Sequence, residues 1–466
     1  MINNPLILSN EHILSTNNNS NLHTLVISPS GGGKTVSYLE PNLIHCGEDN
    51  LIVRVSKRSL VEKYKPHFKN KGYHIYDLNL AHPEHTNKDS VCYDPMACVT
   101  DESTAHLFAE RIVNMDDTRG TSADPYWQSA ATQLLESIIF LVFSENNAAT
   151  FANVLACFSD LTINDVNSDG IIQTSLSDRF DYLEDRDPSH PAIRAWRSFA
   201  TLPYRTAGCV YGSLASVLQM YSKQLQDSIK NLPSFNVESF YKEKSILFIT
   251  ANATDISKFK ISNLLFEDLT HSLIEEAEIN GGTLKRKTRI IIDDFGVAGT
   301  IESIPAALSF VREAGISFSL LCQSITQLNN AYGTAKAGII RNNCDNAIYI
   351  GAPNDLETAE QMAIKMNLPV LNMLSLKPNQ VVVFRRGHLA SIANRYKTYE
   401  DPLFIEIASN YSKHGKKNSL IERTKRKDFS PAREAIDSVN DLTQEVEALN
   451  KRLEKKFDEL FANIAS

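Results

Sequence analysis

A glycine-rich loop between a short apolar run and a helical pattern constrains the fold of this chain more than any other feature. The apolar run covers residues 24–28, the loop ends in Lys34 and Thr35, and residues 36–43 have a helical pattern. A strand, a glycine-rich loop ending in Lys-Thr and a helix form the arrangement that binds a nucleoside triphosphate. The alternative is a glycine-rich turn before an ordinary helix. The strand before the loop and the Lys-Thr pair after it favour the phosphate-binding interpretation.

Each residue type in this loop has a chemical reason to be there. Glycines let backbone N–H groups turn toward the β-phosphate without a Cβ clash. Lys34 supplies a positive charge to the β and γ oxygens, and the Thr35 hydroxyl can bind magnesium. Ser28 stands where the motif usually has its first glycine. The expected cofactors are ATP and Mg²⁺, and the predicted nucleotide ligands are Ser30, Gly31, Gly32, Gly33, Lys34 and Thr35.

A strand that ends in acid is the second part of such a site. Residues 289–292 predict a strand, and Asp293 and Asp294 follow it. Asp293 would hold the magnesium ion together with Thr35, and Asp294 would polarise the attacking water. An acidic pair at a strand end also occurs as a helix cap or a solvated turn, but the phosphate loop in the same chain favours the catalytic interpretation. ATPases of this kind usually carry Glu at the second position, so the shorter Asp294 predicts slow hydrolysis.

Two further polar residues are candidates for the catalytic set. Gln323 directly follows the apolar run 317–322. At the tip of a strand beside the phosphate loop it would sense the γ-phosphate; otherwise it is only a polar strand end. Arg312 lies on the helix-like segment 304–313. Taken alone, it is typical of a solvated cation at a helix end beside Glu313.

Composition excludes several classes of protein. The 466 residues are 42% hydrophobic and 22% charged, which excludes a disordered or fibrous chain and leaves room for about two to four domains. The seven cysteines include no C-x-x-C pair, which predicts buried reduced thiols rather than disulfides or a zinc site. The formal net charge of −8 argues against coating nucleic acid through bulk charge. No apolar run approaches the roughly 18 residues that span a bilayer, and no signal peptide is evident, so we expect a cytoplasmic protein.

Short apolar runs alternate with helical patterns, which predicts an α/β core with a mainly parallel sheet. The predicted strands are residues 24–28, 50–55, 73–76, 245–250, 289–292, 317–322, 347–350 and 380–384. Residues 101–235 lack comparable β-branched runs and predict an inserted all-α domain, with helical patterns at 130–143 and 213–229. The insertion divides the nucleotide-binding domain into residues 1–100 and 236–407.

Residues 408–466 differ in composition from the rest of the chain and predict a basic linker followed by an amphipathic helix. Basic residues crowd the stretch from Lys413 to Lys427. They would bind nucleic acid or an anionic membrane surface, or they form a solvated linker. Apolar residues from Val439 to Ile464 recur in steps of three and four, as in one amphipathic helix. Partner docking or self-association competes with packing on the body, and the charged linker favours an exposed interaction helix.

Taken together, these motifs resemble a known family, the type IV coupling proteins, which are hexameric motor ATPases of conjugation and type IV secretion. The resemblance extends over about residues 20–400 and rests on the order and spacing of several motifs. These are residues 28–35, 290–295 with Gly299, 311–317, 323–324 and 342–345. Residues 93–96 and 126–127 are similar to two further family landmarks.

The resemblance implies a RecA-like P-loop NTPase domain, akin to the FtsK and HerA DNA-pumping machines, with ATP bound between neighbouring subunits of a hexameric ring. On that basis Arg312 resembles the family's arginine finger, which reaches the γ-phosphate of the neighbouring subunit, and Gln323 resembles its γ-phosphate sensor. The implied partners are single- or double-stranded DNA, relaxase or effector proteins, and membrane-bound type IV secretion subunits. The sequence has no base-reading motif, so DNA would be held by its phosphates without sequence preference.

Several features depart from the family pattern. Ser28 replaces the first glycine of the loop, Asp294 replaces the usual second acid, and Ser56 stands where relatives tend to carry Asp before a lysine. The family's amino-terminal membrane anchor is absent, so we expect a cytoplasmic location, with peripheral attachment at the inner face of the cell membrane as the alternative. Two other functions stay open: a nucleotide-dependent adaptor that recruits protein substrates without pumping DNA, and a nucleotide-regulated scaffold with negligible hydrolysis.

Overall fold

The computed structural model describes residues 4–412 except 17–19, 115–124, 147–148, 167–171, 220, 222, 253 and 298. The chain divides into one compact unit, Met1–Phe404, and a second unit, Ile405–Ser466. Residues 405–412 of the second unit are described, and they are helical. The predicted basic cluster and amphipathic helix lie outside the described residues.

The first unit is built from strands and helices that alternate along the chain. The strands are β1 (Pro5–Ile7), β2 (Ile13–Ser15), β3 (Thr24–Ile27), β4 (Asn50–Val55), β5 (His74–Asn79), β6 (Ile163–Val166), β7 (Ile172–Thr174), β8 (Ser245–Thr250), β9 (Thr288–Ile292), β10 (Ile316–Cys322), β11 (Asn346–Ile350), β12 (Gln380–Arg385) and β13 (Ser391–Asn394). The helices are α1 (Glu40–Ile44), α2 (Arg58–Asn70), α3 (Glu102–Asn114), α4 (Pro125–Glu145), α5 (Phe151–Asp160), α6 (Ser177–Arg186), α7 (Pro191–Ala200), α8 (Tyr204–Leu218), α9 (Lys223–Asn231), α10 (Val237–Lys242), α11 (Ile256–Ile279), α12 (Ile304–Ala307), α13 (Ile325–Asn343), α14 (Leu356–Met366) and α15 (Val370–Leu374).

A nine-stranded sheet forms the core, in the order β13-β12-β11-β3-β10-β9-β4-β8-β5. Every pairing from β11 to β5 is parallel, whereas β12 is antiparallel to both of its neighbours. The strand that precedes the glycine loop, β3, therefore lies beside β10, and β10 lies beside the acid-ending strand β9. Because these strands are parallel, their carboxyl ends meet at one edge of the sheet.

The predicted strands are all present, and their bounds shift by at most a few residues. Residues 73–76, for example, become the longer strand β5 (His74–Asn79). The mainly parallel α/β core is confirmed. The sequence analysis did not predict β1, β2 or β13, which are only three or four residues long. Strands of that length are too short to show a clear period of alternation.

The central strands are buried along their whole length, which explains why their sequences are apolar rather than alternating. Two buried arginines interrupt this apolar pattern. Arg289 on β9 donates to the Asp49 carboxylate over 2.6 Å and to the backbone carbonyl of Pro5 over 2.8 Å. It therefore ties the hairpin β1–β2 to the sheet. The other, Arg54 on β4, belongs to the candidate site described below.

The insertion between β5 and β8 is mostly helical, and α4 packs against α3, α5, α7 and α8. Phe180 and Trp196 stack with ring centres 4.0 Å apart and join α6 to α7. Two details correct the all-α expectation for this segment. The two-stranded antiparallel hairpin β6–β7 lies within it. The helical pattern predicted at 213–229 belongs to two helices, because α8 ends at Leu218 and α9 begins at Lys223. Within the described part of the chain, no helix has both the length and the apolar character needed to cross a bilayer.

Candidate functional site

The loop after β3 has the backbone geometry of a phosphate cradle. Gly31 and Gly33 have φ angles of 73° and 102°, which L side chains rarely adopt. A β-carbon built on Gly32 would lie 2.2 Å from the Ser28 hydroxyl oxygen. The same β-carbon would lie 2.9 Å from the Pro29 carbonyl oxygen, and because this backbone atom cannot rotate away as the Ser28 hydroxyl can, position 32 requires glycine. The loop leads into a π-helical turn, Thr35–Leu39, which continues as α1.

Lys34 lies inside this loop and is largely buried, with 9% of its surface exposed. Its Nζ donates a 3.1 Å hydrogen bond to the carbonyl oxygen of Ser28. A neutral carbonyl is a weaker partner for an ammonium group than an anion, so the lysine is placed to exchange this bond for one to a phosphate oxygen.

Asp293 directly follows β9 at the same edge of the sheet, and only 8% of its surface is exposed. Burial raises the pKa of its carboxyl group to about 6; the charge of Asp294 adds to this shift, and the charge of Lys34 opposes it. A buried carboxylate destabilised by its surroundings is well suited to bind a divalent cation, which would reverse the shift.

Asp294 is held in a defined conformation beside Asp293. Its φ angle is 52°, in the left-handed region, and its amide donates to the Asp293 carboxylate over 3.0 Å. Ser56, at the end of neighbouring strand β4, donates from its hydroxyl to Asp294 Oδ2 over 2.6 Å. The sequence analysis noted Ser56 only as a departure from the family pattern, and the structure brings it into the site.

Arg54 on β4 stabilises the end of β9, where Asp293 and Asp294 lie. Its guanidinium donates to the Asp293 carbonyl over 3.3 Å and to Asn263 Oδ1 over 2.6 Å. It also lies 4.0 Å from the ring centre of Phe259, and burial lowers its pKa to about 10. The signal that could have revealed it was a single charged residue within the apolar run of β4.

Gln323 follows β10, the strand between β3 and β9, and is half-buried. Its backbone N–H donates to Gln327 Oε1 over 3.0 Å, and the Ser324 hydroxyl caps the start of α13. The structure therefore brings Gln323 to the edge that also carries Lys34, Asp293 and Asp294.

Arg312 is the one predicted catalytic residue that lies elsewhere. It precedes the amino end of β10, whereas the site lies beyond the carboxyl end of this seven-residue strand, about 20 Å away along the strand. Its side chain is 49% exposed and pairs with Glu313 at 3.5 Å. The expected helix around it is shorter than predicted, because α12 ends at Ala307 and turns follow.

A second buried polar cluster joins the insertion to the core. The Tyr93 hydroxyl donates to the Asp268 carboxylate, which also accepts a 3.0 Å bond from Arg111 Nη1. Burial raises the pKa of Asp268 to about 6, because its effect is larger than the opposing effects of the Tyr93 hydrogen bond and the Arg111 charge. The neighbouring Asp94 carboxylate accepts the backbone N–H groups of Met96 and Phe151, each over 3.0 Å. Residues 93–96 therefore connect α11 to helices α3 and α5 of the insertion.

The sequence of this chain is similar to proteins of conjugative DNA transfer. A family model described as type IV secretory system conjugative DNA transfer matches residues 4–366. Two Escherichia coli proteins, each named conjugal transfer protein TraG, are 24% and 22% identical over 404 and 401 residues. Each alignment covers 81% of this chain and 59% of the relative, so the chain spans 59% of the length of the curated relatives it matches.

Solved structures show the same fold at low sequence identity. The plasmid coupling protein TrwB in complex with the ATP analogue ADPNP is 18% identical with a TM-score of 0.58, covering 82% of this chain and 87% of that one. TrwB in complex with ADP and Mg²⁺ has the same identity, coverage and TM-score. VirB4 of Thermoanaerobacter pseudethanolicus is 12% identical with a TM-score of 0.50, covering 86% of this chain and 97% of that one.

The strand order, the glycine loop and the acid after β9 define a RecA-like P-loop NTPase fold. The family model covers most of the chain, and the TraG and TrwB likenesses agree with it. The chain therefore belongs to the type IV coupling protein family of conjugative DNA transfer, which confirms the resemblance derived from the motifs.

Proposed function

We propose that this protein is the ATP-hydrolysing coupling protein of a conjugative DNA-transfer or type IV secretion system. The observation that carries the proposal is the convergence of Lys34, Asp293 and Gln323 at one edge of a RecA-like sheet. Membership of a family defined by conjugative DNA transfer supports the choice of DNA as the cargo.

The residues at this edge fit a magnesium nucleotide. The loop Gly31–Gly33 offers backbone N–H groups in the conformation that surrounds a phosphate, and Lys34 would neutralise its charge. Thr35 and the buried Asp293 would hold Mg²⁺, which neutralises negative charge on the phosphate oxygens when bound. Asp294, fixed by Ser56, would orient the attacking water, and Gln323 would contact the γ-phosphate.

Arg312 would act on the site of a neighbouring copy. It lies beyond the opposite end of β10 from the site of its own chain, so it is too far from that site to serve as its arginine finger. A head-to-tail ring brings the two edges of successive subunits together, and a closed ring of six such copies would complete every site. The long, exposed pair with Glu313 leaves the guanidinium available for such a contact.

The proposed partners follow from the same assembly. DNA would pass through the ring and be held by its phosphates, which agrees with a chain whose net charge is −8 rather than basic. A relaxase or effector protein and membrane-bound secretion subunits would meet the ring from outside. These partners, and the cytoplasmic location, stay predictions.

ATP hydrolysis measured with and without DNA tests the proposal. Wild-type protein should hydrolyse ATP, and single- or double-stranded DNA should stimulate it in a salt-dependent way. Lys34→Ala and Asp293→Ala should each abolish turnover, whereas Lys230→Ala, which removes an exposed lysine from α9 in the insertion, should leave it unchanged. Wild-type protein that binds ATP yet shows neither hydrolysis nor DNA affinity would favour the protein-recruiting adaptor instead.

A further inference from the structure

A second cation lies against the phosphate loop, and the motif analysis did not detect it. A β-carbon built on Gly33 would lie 2.6 Å from Nη1 of Arg395. A β-carbon built on Gly351 would lie 2.9 Å from Nη2 of the same side chain. The guanidinium group of Arg395 therefore lies between two glycines, one of which directly precedes Lys34 in the loop.

The edge of the sheet explains how Arg395 reaches this position. Gly351 follows β11, which is the neighbour of β3, and its amide donates to the Gln380 carbonyl over 3.3 Å. The chain returns along β12 and β13, and Arg395 follows β13 at the same edge, with its amide 2.9 Å from the Asn379 carbonyl. Backbone pairing thus places this arginine beside the loop.

The guanidinium group has no counterion among the described residues. Its Nε is buried without a hydrogen-bond partner, and no hydrogen bond or ion pair links its Nη atoms to another described residue. Burial alone lowers the pKa of this arginine, with no neighbouring carboxylate to offset it. A half-buried cation without a partner is costly, and an anion in the loop would offset that cost.

The position of Arg395 also indicates which part of a nucleotide it would meet. Asp293, Asp294 and Gln323 follow β9 and β10, which lie on one side of β3. Arg395 approaches from β11, on the other side of β3. The catalytic side faces the γ-phosphate, so the opposite side of the loop faces the phosphates nearer the nucleoside.

We propose that Arg395 is a phosphate ligand from the same chain, which binds the α- and β-phosphates and therefore holds ATP and ADP alike. This role differs from that of Arg312, which would act on a neighbouring subunit and on the γ-phosphate. The inference rests on the proposed nucleotide site, and it adds a binding residue whose planar donor group matches phosphate oxygens.

Direct binding measurements with ADP and with ATP test this role separately from hydrolysis. The full chain should be compared with Arg395→Met, which keeps the apolar stem, and with Arg395→Lys, which keeps the charge. Lys397→Met, which removes an exposed lysine two residues away that pairs with Glu400 at 3.0 Å, is the matched control. Thermal unfolding of each variant without nucleotide checks that the fold is retained.

We expect Arg395→Met to weaken ADP and ATP binding by the same factor, about 10- to 100-fold, since each contact is a hydrogen bond to a charged group. Arg395→Lys should retain part of the affinity, and Lys397→Met all of it. Unchanged affinity in Arg395→Met would overturn the proposal, as would tighter binding, which would show that the arginine blocks the loop. Loss confined to ATP would assign the contact to the γ-phosphate and equally overturn it. If wild-type protein binds neither nucleotide, the proposed function fails as well.

Discussion

Ser56 donates a 2.6 Å hydrogen bond to the carboxylate of Asp294, across the neighbouring strands β4 and β9. The bond restrains a residue whose backbone already adopts the left-handed conformation, with a φ angle of 52°. Asp294 is one methylene shorter than the glutamate usual at this position. Because its carboxylate extends less far from the backbone, neighbouring groups have to position it. Ser56 supplies that positioning in this chain.

Ser56→Ala should lower the turnover of ATP by about tenfold while leaving nucleotide affinity nearly unchanged, because it frees the carboxylate that orients water without touching the loop. Steady-state hydrolysis and ADP binding measured on the same preparation separate the two effects. Ser198→Ala, at an exposed position on α7, is the matched control. A loss of affinity without a loss of turnover would contradict the positioning role.

Substitutions of Asp294 itself test whether this residue limits hydrolysis. Asp294→Asn removes the acceptor for the water proton and should lower turnover by about 100-fold or more, with ATP binding retained. Asp294→Glu should raise turnover above the wild-type rate, since the longer side chain brings the carboxylate nearer the γ-phosphate. A wild-type rate no higher than that of Asp294→Asn, together with an active Asp294→Glu, would instead identify a nucleotide-regulated scaffold.

The buried Asp268 predicts a specific pH dependence of stability. Its pKa is raised from 3.8 to about 6 in the folded protein, mainly by burial. The folded state therefore binds more protons than the unfolded state between pH 4 and 6. Above pH 6 the ionised, buried carboxylate destabilises the folded state. This destabilisation is lost as the pH falls and the carboxylate is protonated. The free energy of unfolding of wild type relative to Asp268→Asn should increase by about 2 kcal/mol from pH 7 to pH 4.5.

Chemical denaturation of wild type and Asp268→Asn from pH 7 to pH 4.5 measures this difference in the free energy of unfolding. A pH-independent effect of the lost bond to Arg111 does not change how the difference varies with pH. Asp181→Asn, on the surface of α6, is a control that should show a much smaller pH dependence. A difference that stays constant, or that shrinks as the pH falls, would contradict the raised pKa.

The features that sequence reasoning predicted are those encoded locally. The apolar runs of β3, β4, β8, β9 and β10 are long enough to identify buried strands, and the loop from Ser28 to Thr35 has a chemistry that few other structures need. The acids after β9 could be assigned because the loop requires a partner acid. Gln323 could be assigned to the same edge of the sheet because it directly follows a predicted strand.

The features that sequence reasoning missed depend on tertiary pairing between distant segments. Nothing near Ser56 indicates that its hydroxyl meets Asp294, because the contact exists only when β4 pairs with β9. Arg395 follows a four-residue strand without a clear pattern, and its approach to Gly33 depends on the order of β13, β12, β11 and β3. The helix predicted around Arg312 is mostly turns, since packing before β10 overrides a weak local preference.

In the proposed assembly, ATP is hydrolysed between copies of this chain, with Lys34 from one copy and Arg312 from the next. The most direct measurement mixes Lys34→Ala with Arg312→Ala protein in equal amounts, allows subunits to exchange, and follows DNA-stimulated hydrolysis. Each variant alone should be inactive, whereas the mixture should recover activity at about a quarter of the interfaces, those that combine an intact loop with an intact finger. Arg194→Ala, at another exposed arginine, should stay fully active when tested alone. No recovery in the mixture, or full activity of Arg312→Ala alone, would show that Arg312 does not complete the site of a neighbouring copy.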